Sequence, residues 1–356
     1  MVRLCDEGTL IVKVDAGFEQ TAPWLIWWRG YARICNMCAF PRLTVIVLAL
    51  LAGNNAWSDA TRFESLERVA SRYGFPVPIV DEDSIRFRSR YSSLMFKRDS
   101  RMLVYDGVLV WLNKGVHKRK NRWGLIGEDL RTVINPLLRR NEVLRKVGYL
   151  RVMLDPGHGG EDGGALSARG LQEKRVVLDI ARRTRRKLEA AGVLVNLTRY
   201  TDGFLELHDR CREARRWRAD LLISIHANAS GNPAAAGVET YIMPAPGFRS
   251  TGSTRPDQRR YEGNRFDEAN VILGYFVHKG LVANSGGADR GVKRARFLVL
   301  KDSPCPAALV ECGFLSNAQD AESLASRRHR DVVARGLTQG ILTYVSRVRT
   351  AHTAAR

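Results

Sequence analysis

The stretch Val152-Met153-Leu154-Asp155-Pro156-Gly157-His158-Gly159-Gly160 constrains the chain most, because an apolar run stops at a proline and breaks into a glycine-rich turn carrying one histidine. That pattern predicts a buried strand delivering His158 to a surface loop. Glu173 then opens a helix whose apolar positions Val176, Val177, Ile180 and Leu188 keep roughly a 3.6-residue period. Residues 221–225 read as a second buried strand ending at His226, and residues 307–310 as a third ending at Glu311. Two imidazoles and two carboxylates, each at a strand end or a helix start, match what a catalytic zinc site needs: N/O ligands and one free acid/base. A single histidine after a strand is more often structural. Here all four side chains fall on the edge where open α/β sheets place their sites.

The motifs around these residues carry a resemblance. Asp155 to Gly160, Gly170-Leu171-Gln172-Glu173-Lys174, Ser224-Ile225-His226-Ala227-Asn228 and Glu311-Cys312-Gly313-Phe314-Leu315-Ser316-Asn317 resemble, in order, the signature blocks of the zinc-dependent N-acetylmuramoyl-L-alanine amidases of the amidase_3 type. Asp289-Arg290-Gly291-Val292-Lys293 is similar to a further block. The resemblance covers about 149–348. It implies Zn2+ as cofactor, with His158, Glu173 and His226 as ligands and Glu311 as catalytic acid/base. It also implies the substrate: the amide joining the lactyl group of N-acetylmuramic acid to L-alanine of the peptidoglycan stem peptide. Cys312 departs from the family's small or apolar residue, and residues 244–265 are unusually basic. That basic stretch and Arg199 could contact stem-peptide carboxylates, although a solvated charge run is the commoner reading of such a stretch, and Asn228 is also assigned to substrate binding. The alternative, a catalytically inactive peptidoglycan-binding protein, would be expected to have lost a ligand or the acid, and this chain has lost neither.

A formal charge of +20 over 356 residues means a surface that adheres to polyanions. The basic residues are spread along the chain with no interleaved aromatic RNA-binding signature, so nucleic acid is not the expected partner. Peptidoglycan is, together with a possible activator or recruiter, and the protein is expected to be a monomer.

Residues 43–52 are an apolar run too short to span a bilayer, preceded by Arg42 and followed by the small-x-small pattern Ala56-Trp57-Ser58. This is the shape of a signal peptide, with Met37 as an alternative start, and it implies export to the periplasm or cell envelope. After cleavage Cys211, Cys305 and Cys312 remain, an odd number that cannot form a full disulfide framework.

The expected organisation is an extension and signal peptide over 1–58, a small α+β module over 59–146, the catalytic domain over 147–348 and a tail over 349–356. In the module, residues 59–70 read as an amphipathic helix, Asp106-Gly107 as a two-residue hairpin turn and residues 127–138 as a closing helix. It bears a weak resemblance to the N-terminal domain of copper amine oxidases. Beyond residue 146 strands and helices alternate, which predicts an α/β fold: a mainly parallel twisted sheet with helices on both faces, preceded by a small β-rich domain. Residues 244–265 are expected to be a long loop.

Overall fold

The computed structural model describes residues 62–144 and 150–351, together with the backbone of two short antiparallel strands, Val2–Leu4 and Leu10–Val12. The apolar run at 43–52 and its cleavage pattern lie outside the described residues. No helix among the described residues is long and apolar enough to cross a membrane. Met1–Trp57 and Ser58–Arg356 are separate compact units.

The first part of the larger unit contains β1 (Phe63–Ser65), α1 (Leu66–Arg72), β2 (Ile79–Val80), β3 (Ser84–Arg88), β4 (Ser93–Lys97), β5 (Met102–Tyr105), β6 (Val108–Trp111), β7 (His117–Arg119) and β8 (Arg122–Ile126). The Asp106-Gly107 turn joins β5 to β6 with both residues at positive φ, as the hairpin signal requires. The helix expected over 59–70 starts later, because Phe63–Ser65 pairs with β8 and Ser65 caps α1 at Arg68 N. The closing helix is broken into Gly127–Asp129, a π-turn at Leu130–Ile134 and Asn135–Leu138.

The second part of that unit contains β9 (Arg151–Pro156), α2 (Glu173–Ala190), β10 (Leu194–Leu197), α3 (Leu207–Arg216), β11 (Leu221–Asn228), β12 (Val238–Ile242), α4 (Asp267–Ser285), β13 (Asp289–Arg294), β14 (Ala307–Phe314), α5 (Ala318–Ala325) and α6 (Arg327–Thr350). Side chains alternate across the sheet. Val152, Leu154, Ile223, Ile225 and Val310 pack under α2, α4 and α6, whereas Met153, Leu222 and Leu309 pack against Cys211 and Ala214 of α3. Helices therefore cover both faces of this half, and every residue of β14 is buried.

One sheet of 11 strands runs in the order β10-β9-β11-β14-β12-β13-β6-β5-β4-β3-β2. Strands β10, β9, β11 and β14 are parallel, β12 is antiparallel to β14, and β2 to β6 form an antiparallel meander. The sheet is thus mixed, and the mainly parallel expectation describes only its site-bearing half. Nor does the β-rich region stand ahead of it as a separate body. Val110 of β6 pairs with Val292 of β13, Leu109 N–H donates to Asp289 Oδ2 at 2.9 Å, and buried Arg294 donates from Nε to Asn113 Oδ1 at 3.0 Å. Ile85, Phe96, Leu103 and Val110 belong to the same apolar cluster as Val152 and Ile272. A one-faced antiparallel meander must bury its apolar face somewhere, and here α4 and its neighbours supply the cover.

Candidate metal centre

The site lies where β9, β11 and β14 end. Gly157 N–H continues the ladder by donating to Ile225 O at 3.0 Å, after which His158 takes φ +59° and turns the chain over the strand ends. A Cβ on Gly157 would lie 2.1 Å from His226 Cε1, so only glycine leaves room for that ring. The two imidazoles meet edge to face with centroids 5.0 Å apart.

Glu173, the first residue of α2, stands between them and is 4 % exposed. Its Oε1 accepts from Ala227 N at 3.0 Å and lies 2.9 Å from His226 Nδ1. Its Oε2 accepts from Ala165 N at 2.8 Å and lies 3.1 Å from His158 Nε2. One donor atom from each of the three residues lies within 4.8 Å of the other two. A tetrahedral zinc with bonds of ~2.0–2.2 Å needs ligand atoms roughly 3.3–3.5 Å apart, so two neutral imidazoles and one carboxylate at these separations fit it. Asp162 supports the fit: its Oδ2 lies 2.7 Å from His158 Nδ1, which leaves Nε2 as the ligand atom. Burial works against ionising Glu173, but the two imidazoles outweigh it and hold the carboxyl far below its usual range. His158 is likewise opposed by burial and then raised by Glu173 and Asp162.

Glu311 sits directly across from His226 in the next strand. It is 8 % exposed, and its Oε2 is buried without a hydrogen-bond partner among the described residues. Burial first, then the charges of Glu173 and Glu239, push its carboxyl well above the ordinary value. Cys312 belongs to the apolar core; it and Cys211 and Cys305 are buried free thiols.

Below the loop is an ionic brace that sequence reasoning missed. Fully buried Asp155 accepts from Thr198 Oγ1 at 2.6 Å, Arg210 Nη1 at 2.8 Å and Ser224 Oγ at 2.8 Å. Arg210 Nη2 donates onward to His158 O at 3.0 Å. Arg199, expected at the substrate, is instead 5 % exposed and donates to the carbonyls of Pro156, Gly157, Lys174 and Thr201 at 2.7–3.0 Å. One buried guanidinium thus satisfies several backbone carbonyls at once. Asn228 does lie at the site edge, with Nδ2 3.4 Å from Glu239 Oε2. The basic stretch 244–265 does not. Since β12 pairs Glu239 with Glu311 and Tyr241 with Leu309, it runs away from the site and delivers that stretch to the opposite sheet edge. Asp162, four residues after His158 in a glycine-rich loop, and Glu239, one acid in an apolar strand, left readable signals; Arg210, one of several arginines in α3, left none.

The fold and site together define a class: an α/β protein whose parallel strand ends gather a His-Glu-His donor set beside a buried free carboxyl. A family model described as N-acetylmuramoyl-L-alanine amidase (Amidase_3) matches residues 152–343, and the chain belongs to this family. It is 38% identical over 204 residues to the N-acetylmuramoyl-L-alanine amidase LytC of Bacillus subtilis, covering 57% of this chain and 37% of that one. It is 36% identical over 218 residues to the amidase AmiC of Neisseria meningitidis, covering 55% of this chain and 52% of the relative. The chain thus spans about a third to a half of these relatives. Among solved structures, the amidase AmiC2 of Nostoc punctiforme is 35% identical, with 56% of this chain and 98% of that chain covered at a TM-score of 0.48.

Proposed function

We propose that this chain is a zinc-dependent hydrolase that cleaves the amide between N-acetylmuramic acid and L-alanine of the peptidoglycan stem peptide, in the cell envelope. The observation carrying this reading is the pairing of a three-donor site with one adjacent acid, Glu311, whose buried Oε2 has no hydrogen-bond partner among the described residues. His158, Glu173 and His226 would hold the ion, and Asp162 and Glu173's own backbone donors fix their orientation. When bound, zinc supplies Lewis acidity to the scissile carbonyl and lowers the pKa of water toward ~7. Glu311 takes the proton of the attacking water and delivers it to the departing amine of L-alanine. Burial and the neighbouring carboxylates raise the proton affinity of the Glu311 carboxyl, which suits a group that must take up a proton and pass it on.

The test is release of stem peptides from purified peptidoglycan. The zinc-loaded protein is expected to release them, a chelator to stop release, and added zinc to restore it. Absence of release from the zinc-loaded protein would overturn the reading. Export is part of the same proposal. N-terminal sequencing of protein from the native host is expected to begin after the apolar run at 43–52, and an intact Met1 on cytoplasmic protein would refute it.

A further inference from the structure

At the site edge, cross-strand neighbours form a row: His226 faces Glu311, and Glu311 faces Glu239. The next strand, β13, places Arg290 so that its Nε donates to Glu239 Oε1 at 2.5 Å, and Lys293 Nζ reaches the same oxygen at 2.5 Å. Tyr241 donates its hydroxyl to Glu239 Oε2 at 2.5 Å. One buried carboxylate therefore faces two cations, Arg290 and Lys293. The Lys293 side chain is 14% exposed and the Arg290 side chain 34%. The Arg290 guanidinium lies 5.0 Å over the Phe314 ring, and of its nitrogens Nε alone has a hydrogen-bond partner among the described residues.

The backbone under this guanidinium is fixed from the other side. Arg290 O accepts the Trp111 indole N–H at 3.0 Å, and at Gly291, with φ +89°, a Cβ would lie 2.7 Å from Leu109 Cγ. Stem, Nε and backbone are held while the two terminal NH2 groups remain open, the fork that takes a carboxylate in a bidentate pair. Strands ~4.8 Å apart put Arg290 roughly 10 Å from Glu311 between backbones, and an extended peptide advances ~3.3 Å per residue. With the side chain leaning back toward Glu239, its fork falls within one to three residues of a bond cleaved at Glu311.

We propose that Arg290, held by Glu239, is a specificity residue that binds a carboxylate on the stem-peptide residue following L-alanine. It takes the role that Arg199 and the basic stretch cannot fill. The inference rests on the amidase reading, and its test separates the two. The probes are two N-acetylmuramoyl-L-alanyl dipeptides that differ only in a free or amidated α-carboxylate on the second residue. The zinc-loaded full chain is expected to prefer the free acid by ~10- to 100-fold in kcat/KM, the range of a charge-assisted pair. Arg290→Gln should bring that ratio near one and Arg290→Lys should keep part of it. The ratio is internal to each variant, so partial misfolding cancels. Calorimetric binding of the two alanyl dipeptides released from these probes gives a readout independent of turnover. If the wild-type protein cleaves neither probe and also releases nothing from purified peptidoglycan, the amidase reading falls, while tighter binding of the acid peptide that Arg290→Gln abolishes still supports the carboxylate site. Equal handling of acid and amide by the wild-type protein, or a preference that survives in Arg290→Gln, overturns it.

Discussion

Glu311→Gln is expected to retain near-stoichiometric zinc and lose at least ~10²-fold in stem-peptide release, because the amide keeps the shape of the acid but cannot accept a proton. The opposite pattern is expected of the donor set. His158→Ala, His226→Ala and Glu173→Ala each remove one of the three donors that lie within 4.8 Å of one another, so zinc is lost together with turnover. Glu311 lies one strand away from the nearest donor and its Oε2 has no partner among the described residues, which is why its replacement spares the metal. Elemental analysis beside the release assay reads both quantities for each variant. If Glu311→Gln lost zinc while Glu173→Ala kept it, the two carboxylates would have their roles exchanged.

Arg210→Met should be nearly as damaging through a different route. Arg210 and Asp155 are 1% and 0% exposed, so removing the guanidinium strands a buried carboxylate and costs on the order of 3–5 kcal/mol. It also frees the carbonyl of His158, so metal affinity should fall with stability. The pH dependence gives the mechanism. Burial alone would raise Asp155, but Arg210, Thr198 and Ser224 outweigh it and hold its carboxyl below the usual value. Its contribution is therefore present above the unfolded value near ~3.9 and lost as pH falls through the lower folded value. In Arg210→Met burial acts without its counterweight, so the variant suffers most at neutral pH and the gap to wild type narrows in acid. Thermal melts across that range are the measurement; a gap that widened in acid would refute the brace.

The donors were legible in the sequence because each is local: a strand ends, a turn or helix begins, and a ligand-type residue stands at the junction. His158 in its glycine turn and His226 at the end of an apolar run need no knowledge of the rest of the chain. The brace was not legible, since Arg199 and Arg210 serve backbone carbonyls, which leave no mark on sequence. The misplaced basic stretch has a similar cause. Whether β12 runs with or against β14 decides which sheet edge residues 244–265 reach, and an apolar strand looks the same in either direction. Likewise the Asp106-Gly107 signal marked a hairpin in a β-rich region but not the surface that covers the buried face of β3 to β6.

The seam between β6 and β13 also sets a timetable. Its hydrogen bonds join residues 179 and 180 positions apart, from Trp111 to Arg290 and from Leu109 to Asp289. At a synthesis rate of ~5–20 residues per second, the meander waits on the order of ten seconds or more for the strand that completes it. Contacts so distant along the chain form late and slow the folding reaction. Until β13 arrives, Val108 to Trp111 is paired with β5 on one side only and keeps its other edge open, a liability if left unattended.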